Sequence, residues 1–205
     1  MFALKSPKPN LKQELYRKAI HLSSLWMPLF IYLAPKAWAL FLFGTAFALN
    51  VIIEYANYRR QKWARKTFGR LFFRTLRAKE TIRNRFRPSG SMYVLSAAFL
   101  CALCFSKPVA AISMTVMLIS DSAAALIGKR FGSHKIYKQK SAEGTAAFFI
   151  SALLVNLAFN PLFPIGFSAV IACLAATLAE LFEDKIKLDD NLSIPLICGT
   201  LLTVL

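Results

Sequence analysis

The stretch P-V-A-A-I-S-M-T-V-M-L-I-S-D-S-A-A-A-L-I, residues 108–127, decides how the rest of the chain is read. A bilayer-crossing helix needs about 20 mostly apolar residues, and this run has that length and character. It also contains one acid, Asp121, about six residues from its end and so roughly 9 Å deep at 1.5 Å per residue. A carboxylate at the centre of a membrane helix costs about 2.5 kcal/mol or more, which makes such a residue a functional candidate before it is a structural pair with a cation or hydroxyl. Ala124, Ala125 and Gly128 follow on the same face. Small residues there allow a close helix approach or leave room beside the carboxylate for a ligand.

Outward from this run, the chain is apolar and basic together. Of its 205 residues 57% are hydrophobic and 18% charged, against about 45–50% and about 25% in soluble domains. Mean hydropathy is +0.49. There are 26 Lys and Arg against 10 Asp and Glu, a net charge of +16. Disorder is excluded because it needs low hydrophobicity, and nucleic-acid binding explains the charge but not the apolar runs. An integral membrane protein with cationic loops explains both. Further apolar runs at 19–35, 37–53, 91–105, 142–159, 163–182 and 192–205 bring the spans to about seven. The predicted fold is therefore all-α and polytopic, in one domain without internal repeats. The first run is expected to stay as a helix rather than be cleaved as a signal peptide, and Pro28 interrupts it. The last is short and contains Pro195, so it reads as a truncated or re-entrant span. Cys101, Cys104, Cys173 and Cys198 all fall within apolar runs, where they are expected to pack as small residues.

The cations sort by loop. Alternate connections carry 24 of the 26 Lys and Arg, and the intervening ones carry only Lys36 and Lys107. Since cytoplasmic loops hold the basic excess, the N-terminus is predicted to be cytoplasmic. The segment 54–89 has twelve of these cations, interleaved with Trp63, Phe68, Leu71, Phe72, Phe73, Leu76 and Phe86. It reads either as a plain topogenic loop or as an interfacial amphipathic segment that attracts anionic lipid.

Ten acids are few, and seven lie in two clusters on the same predicted side. The first is Asp121 with Glu143, either side of G-K-R-F-G-S-H-K-I-Y-K-Q-K-S-A-E-G-T, residues 128–145. Gly128 and Gly132 let backbone approach a ligand, Lys129 and Lys140 bring positive charge, and a helix beginning near Ser141, Glu143, Gly144 and Thr145 offers free N–H groups to an anion. The Walker A spacing is absent. The stretch reads as a phosphate site or as a solvated basic loop. The second cluster is Glu180, Glu183, Asp184, Asp189 and Asp190. Asp189, Asp190 and Asn191 suit a hard cation such as Mg²⁺, and Asp190 or Asn191 could equally cap the last helix. A third group is Glu14, Arg17, Lys18 and His21, spaced to share one helical face where the first apolar run begins.

The stretches R-K-A-I-H-L (17–22), S-G-S-M-Y (89–93), D-S-A-A-A-L-I-G-K-R-F-G (121–132), K-S-A-E-G-T (140–145), A-E (179–180) and D-D-N-L-S-I-P (189–195) together resemble the CTP-dependent lipid-alcohol kinases, the dolichol, phytol and diacylglycerol kinases. They occur in that family's order and cover most of the chain. The block 121–144 is also similar to the core of CDP-diacylglycerol synthase, which transfers a cytidylyl group, but that family's C-terminal H-G-G…D-R-x-D signature is replaced here by D-D-N-L-S-I-P.

The kinase resemblance implies transfer of the γ-phosphate of CTP to a polyprenol, phytol or diacylglycerol. It implies CTP held by Arg17, Lys18, Gly128, Lys129, Gly132, Lys140, Ser141, Glu143, Gly144 and Thr145. It implies Mg²⁺ near Asp121, Glu180, Asp189, Asp190 and Asn191. Asp121 or Asp190 would be the base, and Arg17, Lys18 and His21 would steady the γ-phosphate or the lipid head. The host membrane would be the inner membrane of a bacterium, or otherwise the endoplasmic reticulum or a plastid. A transporter is the other reading of intramembrane acids, although no matching pair of Gly/Pro-interrupted repeats is present. A non-enzymatic polybasic membrane module is the third.

Overall fold

The computed structural model describes residues 11–59, 61, 86, 88–159, 166–186 and 188–205. Most of the basic segment 54–89 and the start of the run at 163–182 therefore lie outside the described residues. The described elements are nine helices and one small strand pair: α1 (Leu11–Ser23), α2 (Trp26–Leu33), α3 (Lys36–Tyr58), α4 (Gly90–Cys104), α5 (Lys107–Arg130), β1 (Lys135–Tyr137), β2 (Lys140–Ser141), α6 (Ala142–Phe159), α7 (Phe167–Leu181), α8 (Glu183–Ile186) and α9 (Asp190–Val204). α3, α5 and α6 are long and apolar enough to cross a bilayer, and α4, α7 and α9 are shorter apolar helices. The chain is a helical membrane protein, as its apolar runs predict.

The helix carrying Asp121 is the central one. Within its apolar stretch 72% of the residues are buried, against 22% for α3 and 28% for α6. Ile112, Met114, Met117 and Leu118 of α5 pack with Phe43 of α3, Phe148 of α6 and Ile194 of α9, all with almost no exposed surface. Hydroxyls in this interior bond back to their own helix: Ser113 Oγ donates to Val109 O, Thr115 Oγ1 to Ala111 O and Ser122 Oγ to Leu118 O, each at 2.7 Å. That satisfies groups which would otherwise be orphaned away from water. The outer helices do the opposite and turn Leu29, Leu33, Trp38, Phe41, Ile150, Leu154 and Leu157 outward. Such a broad apolar exterior suits acyl chains rather than water.

The run expected as one span over 19–35 is two helices. Pro28 has no N–H to donate to Ser24 O, and Met27 N takes that carbonyl instead at 2.9 Å. Ser24 N and Leu25 N likewise reach back only three residues, to His21 O and Leu22 O. The path therefore tightens between α1 and α2. Trp26 and Phe30 of α2 then lie against Phe43, with ring centroids 5.8 and 6.0 Å apart.

The S-G-S motif also has a structural account. Ser89 caps α4, accepting from Met92 N at 3.4 Å. Its own N–H donates to the buried Glu54 of α3 at 3.0 Å, and its hydroxyl donates to the other Glu54 oxygen. Phe86 meets Tyr58 with centroids 5.8 Å apart. The return of the chain from the basic segment is thus fastened to the end of α3. Where α4 ends, Lys36 Nζ donates to Leu103 O at 2.9 Å. Cys101, Cys173 and Cys198 are buried free thiols, the packing role expected of them, while the free Cys104 is exposed.

Candidate functional site

α1 positions Lys18 and His21 one turn apart on the face that meets α5. Lys18 is buried and its ammonium donates to Asp121 Oδ2. His21 Nε2 lies 3.4 Å from the same oxygen and, among the described residues, has no hydrogen-bond partner. Residues 103 positions apart in sequence therefore form a buried charged centre. Arg17 is half-buried beside it on α1.

A second, partly buried ion pair faces the first. Glu180, in the last turn of α7, pairs through Oε1 with Lys140, which stands opposite Tyr137 beside the turn of the β1–β2 hairpin. Its Oε2 is buried and has no partner among the described residues. Burial works against the charged form of Lys140, but the carboxylates of Glu180, Asp190 and Asp121 together outweigh it and raise the lysine above its ordinary pKa. Asp190 and Asp121 also act electrostatically on His21. Lys18, His21, Asp121, Lys140, Glu180 and Asp190, from five separate elements, thus share one neighbourhood at one end of the bundle.

Of the carboxylates expected near a cation, Asp189 and Asp190 cluster, and the third member of the cluster is Glu183. Oxygens of Glu183, Asp189 and Asp190 all lie within 4.8 Å of one another. Helix α7 ends at Leu181, and Phe182 leaves helical geometry at φ −106, ψ 25. Glu180 therefore stays on the buried face of α7 with Lys140, while Glu183 turns towards the start of α9. Asp189 is the N-cap of α9, its Oδ1 accepting from Asn191 N at 3.1 Å and from Asn191 Nδ2 at 2.6 Å. Asn191 Nδ2 also approaches Asp190 Oδ1 at 3.2 Å. The Asn191 amide thus organises the two aspartates through its N–H groups. Three carboxylates so close supply the hard oxygen donors that Mg²⁺ takes, one or two at a time, alongside substrate phosphates.

The glycines serve a helix crossing. A Cβ on Gly132 would lie 2.1 Å from Gly128 O and 2.5 Å from Ser141 Oγ. One on Gly144 would lie 3.0 Å from Ala124 O and 3.2 Å from Gly128 Cα. Without side chains at these three positions, α5 and α6 touch backbone to backbone around the buried Ser141, whose Oγ accepts from Gly144 N at 3.2 Å. This crossing carries Lys140 to the foot of α6, beside Glu180. Glu143 points elsewhere: its Oε1 accepts from Ser133 Oγ at 2.6 Å and from the N–H groups of Ser133 and His134 at 3.1 Å, with His134 Nδ1 at 2.9 Å. It fastens the turn after α5. Thr145 Oγ1 is buried and unpartnered among the described residues, and Lys129 is exposed in the last turn of α5. Glu183, Ser133 and His134 were not singled out by sequence. Glu183 was visible only as one acid in a run of several.

No family model matches the chain, and no solved structure matches it. It is 33% identical over 187 residues to an uncharacterized protein of Rickettsia prowazekii, the match covering 88% of each chain. It is 25% identical over 209 residues to CTP-dependent diacylglycerol kinase 1 of Saccharomyces cerevisiae, covering 91% of this chain and 71% of that one. It is 32% identical over 122 residues to a probable chloroplastic phytol kinase of Triticum aestivum, covering 52% of this chain and 41% of that one. The last match thus spans less than half of the plant protein. Taken with the ordered motifs around Asp121, Lys140 and Asp190, these likenesses place the chain: it belongs to the family of CTP-dependent lipid kinases that includes the phytol kinases and the CTP-dependent diacylglycerol kinase.

Proposed function

We propose that the chain transfers the γ-phosphate of CTP to the hydroxyl of a lipid alcohol of the polyprenol, phytol or diacylglycerol type. The observation that carries this reading is the buried Lys18–Asp121 pair, with His21 beside it and Lys140–Glu180 facing it. Phosphoryl transfer asks little covalent chemistry of a protein. It needs positioning and neutralisation of charge. Lys18, Lys140 and Arg17 would neutralise triphosphate oxygens. The lipid hydroxyl, arriving between helices, would attack the γ-phosphorus as the bond to the β-phosphate oxygen breaks. CDP leaves, and the hydroxyl proton passes to Asp121 or Asp190. Glu183, Asp189 and Asp190 would hold Mg²⁺, which when bound supplies further positive charge to the phosphate oxygens. The one-sided distribution of Lys and Arg supports a cytoplasmic N-terminus, which would put every one of these groups on the nucleotide-accessible side.

CTP labelled separately at the α- and γ-phosphates, offered with a panel of lipid alcohols and with phosphatidate, tests the reading. Label from the γ-position in the lipid is the expected result. Label from the α-position would mean cytidylyl transfer, and no label with any lipid would remove the kinase reading.

In the same assay, Lys140→Ala is expected to raise the KM for CTP about tenfold while leaving the KM for the lipid alcohol within about twofold. A charge-assisted hydrogen bond contributes about 1.5–3 kcal/mol, and tenfold is the low end of that range. An unchanged KM for CTP would take Lys140 out of the nucleotide site.

A further inference from the structure

We propose that the β1–β2 hairpin is a latch, and that Tyr137 is the positioning residue through which it holds the acidic segment 183–190 in place. The kinase reading above supplies what that segment is for. The latch itself is read from the contacts.

The segment needs something to hold it. It contains all three clustered carboxylates, and like charges this close repel one another. Yet α8 has four residues, none of them buried, so it has no core of its own. The hairpin supplies three ties, two from the cross-strand pair of Tyr137 and Lys140 beside its turn and one from the turn itself. Lys140 pairs with Glu180. Opposite it, the Tyr137 ring meets Phe182 edge to face, with centroids 5.2 Å apart and planes at 72°. In the turn Lys138 Nζ donates to Asp184 Oδ2 at 2.8 Å. Lys185 Nζ closes over both rings, 5.0 Å from the Phe182 centroid and 5.6 Å from that of Tyr137. Phe182 is where α7 stops, and Glu183 is the next residue. What fixes Phe182 therefore fixes the direction in which Glu183 leaves.

The three ties are unequal. Lys138 and Asp184 are largely exposed, so water and salt screen their ion pair. An edge-to-face aromatic pair adds attraction beyond the area it buries, which makes Tyr137 the main member outside the Lys140–Glu180 pair. The backbone supports the same view. Lys138 has φ 47, in the left-handed region that a residue with a Cβ enters only at a cost. Residues are kept in such conformations where their surroundings over-determine them. Here that conformation lies between Tyr137 on Phe182 and Lys140 on Glu180. Tyr137 acts through Phe182, with no contact to the carboxylates required.

The test uses the full chain purified in detergent, without nucleotide or lipid. Amide hydrogen exchange is followed across 183–190, and Mn²⁺ binding is titrated by electron paramagnetic resonance. Tyr137→Ala is expected to speed exchange locally in 183–190 and to weaken Mn²⁺ binding about tenfold, the low end of what losing a supporting contact costs at a metal site. Tyr137→Phe, which keeps the ring, is expected to match the wild type in both. Unchanged exchange in Tyr137→Ala would overturn the latch, and so would a rise spread evenly over the whole chain. Faster local exchange with unchanged Mn²⁺ affinity would overturn the positioning role. A wild type that binds no Mn²⁺, with Tyr137→Ala still loosening 183–190, would leave the latch standing and remove the cation reading of the acids.

Discussion

Asp121→Asn is expected to lower phosphoryl transfer about 10³-fold while the protein still inserts and folds. The size follows from what a positioned acid or base contributes, about 10²–10⁴-fold. Asparagine keeps the shape of the side chain and an oxygen that can accept from Lys18. It loses the charge and the ability to take a proton. The neighbouring groups stay: Lys140 still has Glu180, and Asp190 keeps its place in the first turn of α9. The loss should therefore appear in kcat per folded molecule. Thermal unfolding in detergent should fall as well, because the Lys18 ammonium is left buried without its counter-charge, but by less than for Lys18→Met, since the asparagine oxygen still accepts from it. Asp190→Asn in parallel separates the two aspartates. The base is the one whose loss falls on kcat alone, and a carboxylate that works through a bound cation also shifts the Mg²⁺ dependence of the rate. Full activity in Asp121→Asn would remove that residue from the mechanism.

How far the site could be read without coordinates depended on whether a residue's role is set by its own helix or by a neighbouring one. Asp121 was legible because an acid deep in an apolar run is conspicuous whatever surrounds it. Lys18 and His21 were legible as a face because their spacing is local. That the face meets Asp121 was not, since the pairing joins positions 103 apart. Glu183, which the sequence offered only as one acid of a run, joins Asp189 and Asp190 because α7 stops at Leu181, within a stretch that has no glycine or proline to announce the end. The hairpin is built from strands of three and two residues, too short to leave a periodic signal. Gly128 was open to close helix approach or to room for a ligand, and Gly132 and Gly144 were placed at a ligand; the structure uses all three at the helix crossing. A glycine pattern marks close backbone approach but does not name what approaches. The interruption of the first run was legible at Pro28, and the structure adds that the run divides there into α1 and α2, with the carbonyl of Ser24 taking another donor.

The second large effect concerns stability and activity together. Lys18→Met is expected to abolish transfer and to destabilise the protein by about 3–5 kcal/mol, since removing one member of a buried ion pair leaves an uncompensated buried charge. Methionine preserves much of the stem that Lys18 packs along α5, so the cost falls on the charge. His21 does not replace the lysine, because its Nε2 stands 3.4 Å away from Asp121 Oδ2 without a hydrogen bond among the described residues. The double variant Lys18→Met/Asp121→Leu removes both charges at once. Replacing a whole buried pair by apolar groups of similar volume is often neutral or stabilising, so the double variant should recover most of the lost stability and none of the activity. Recovery of stability without activity would identify the pair as functional equipment that the fold tolerates. If instead the double variant unfolds as readily as Lys18→Met, the pair holds α1 to α5, and the mechanistic role assigned to Lys18 must rest on Lys18→Arg. That variant keeps the charge, so it should insert and fold normally while transferring phosphate slowly, because a planar guanidinium cannot place its donors where a lysine ammonium sits.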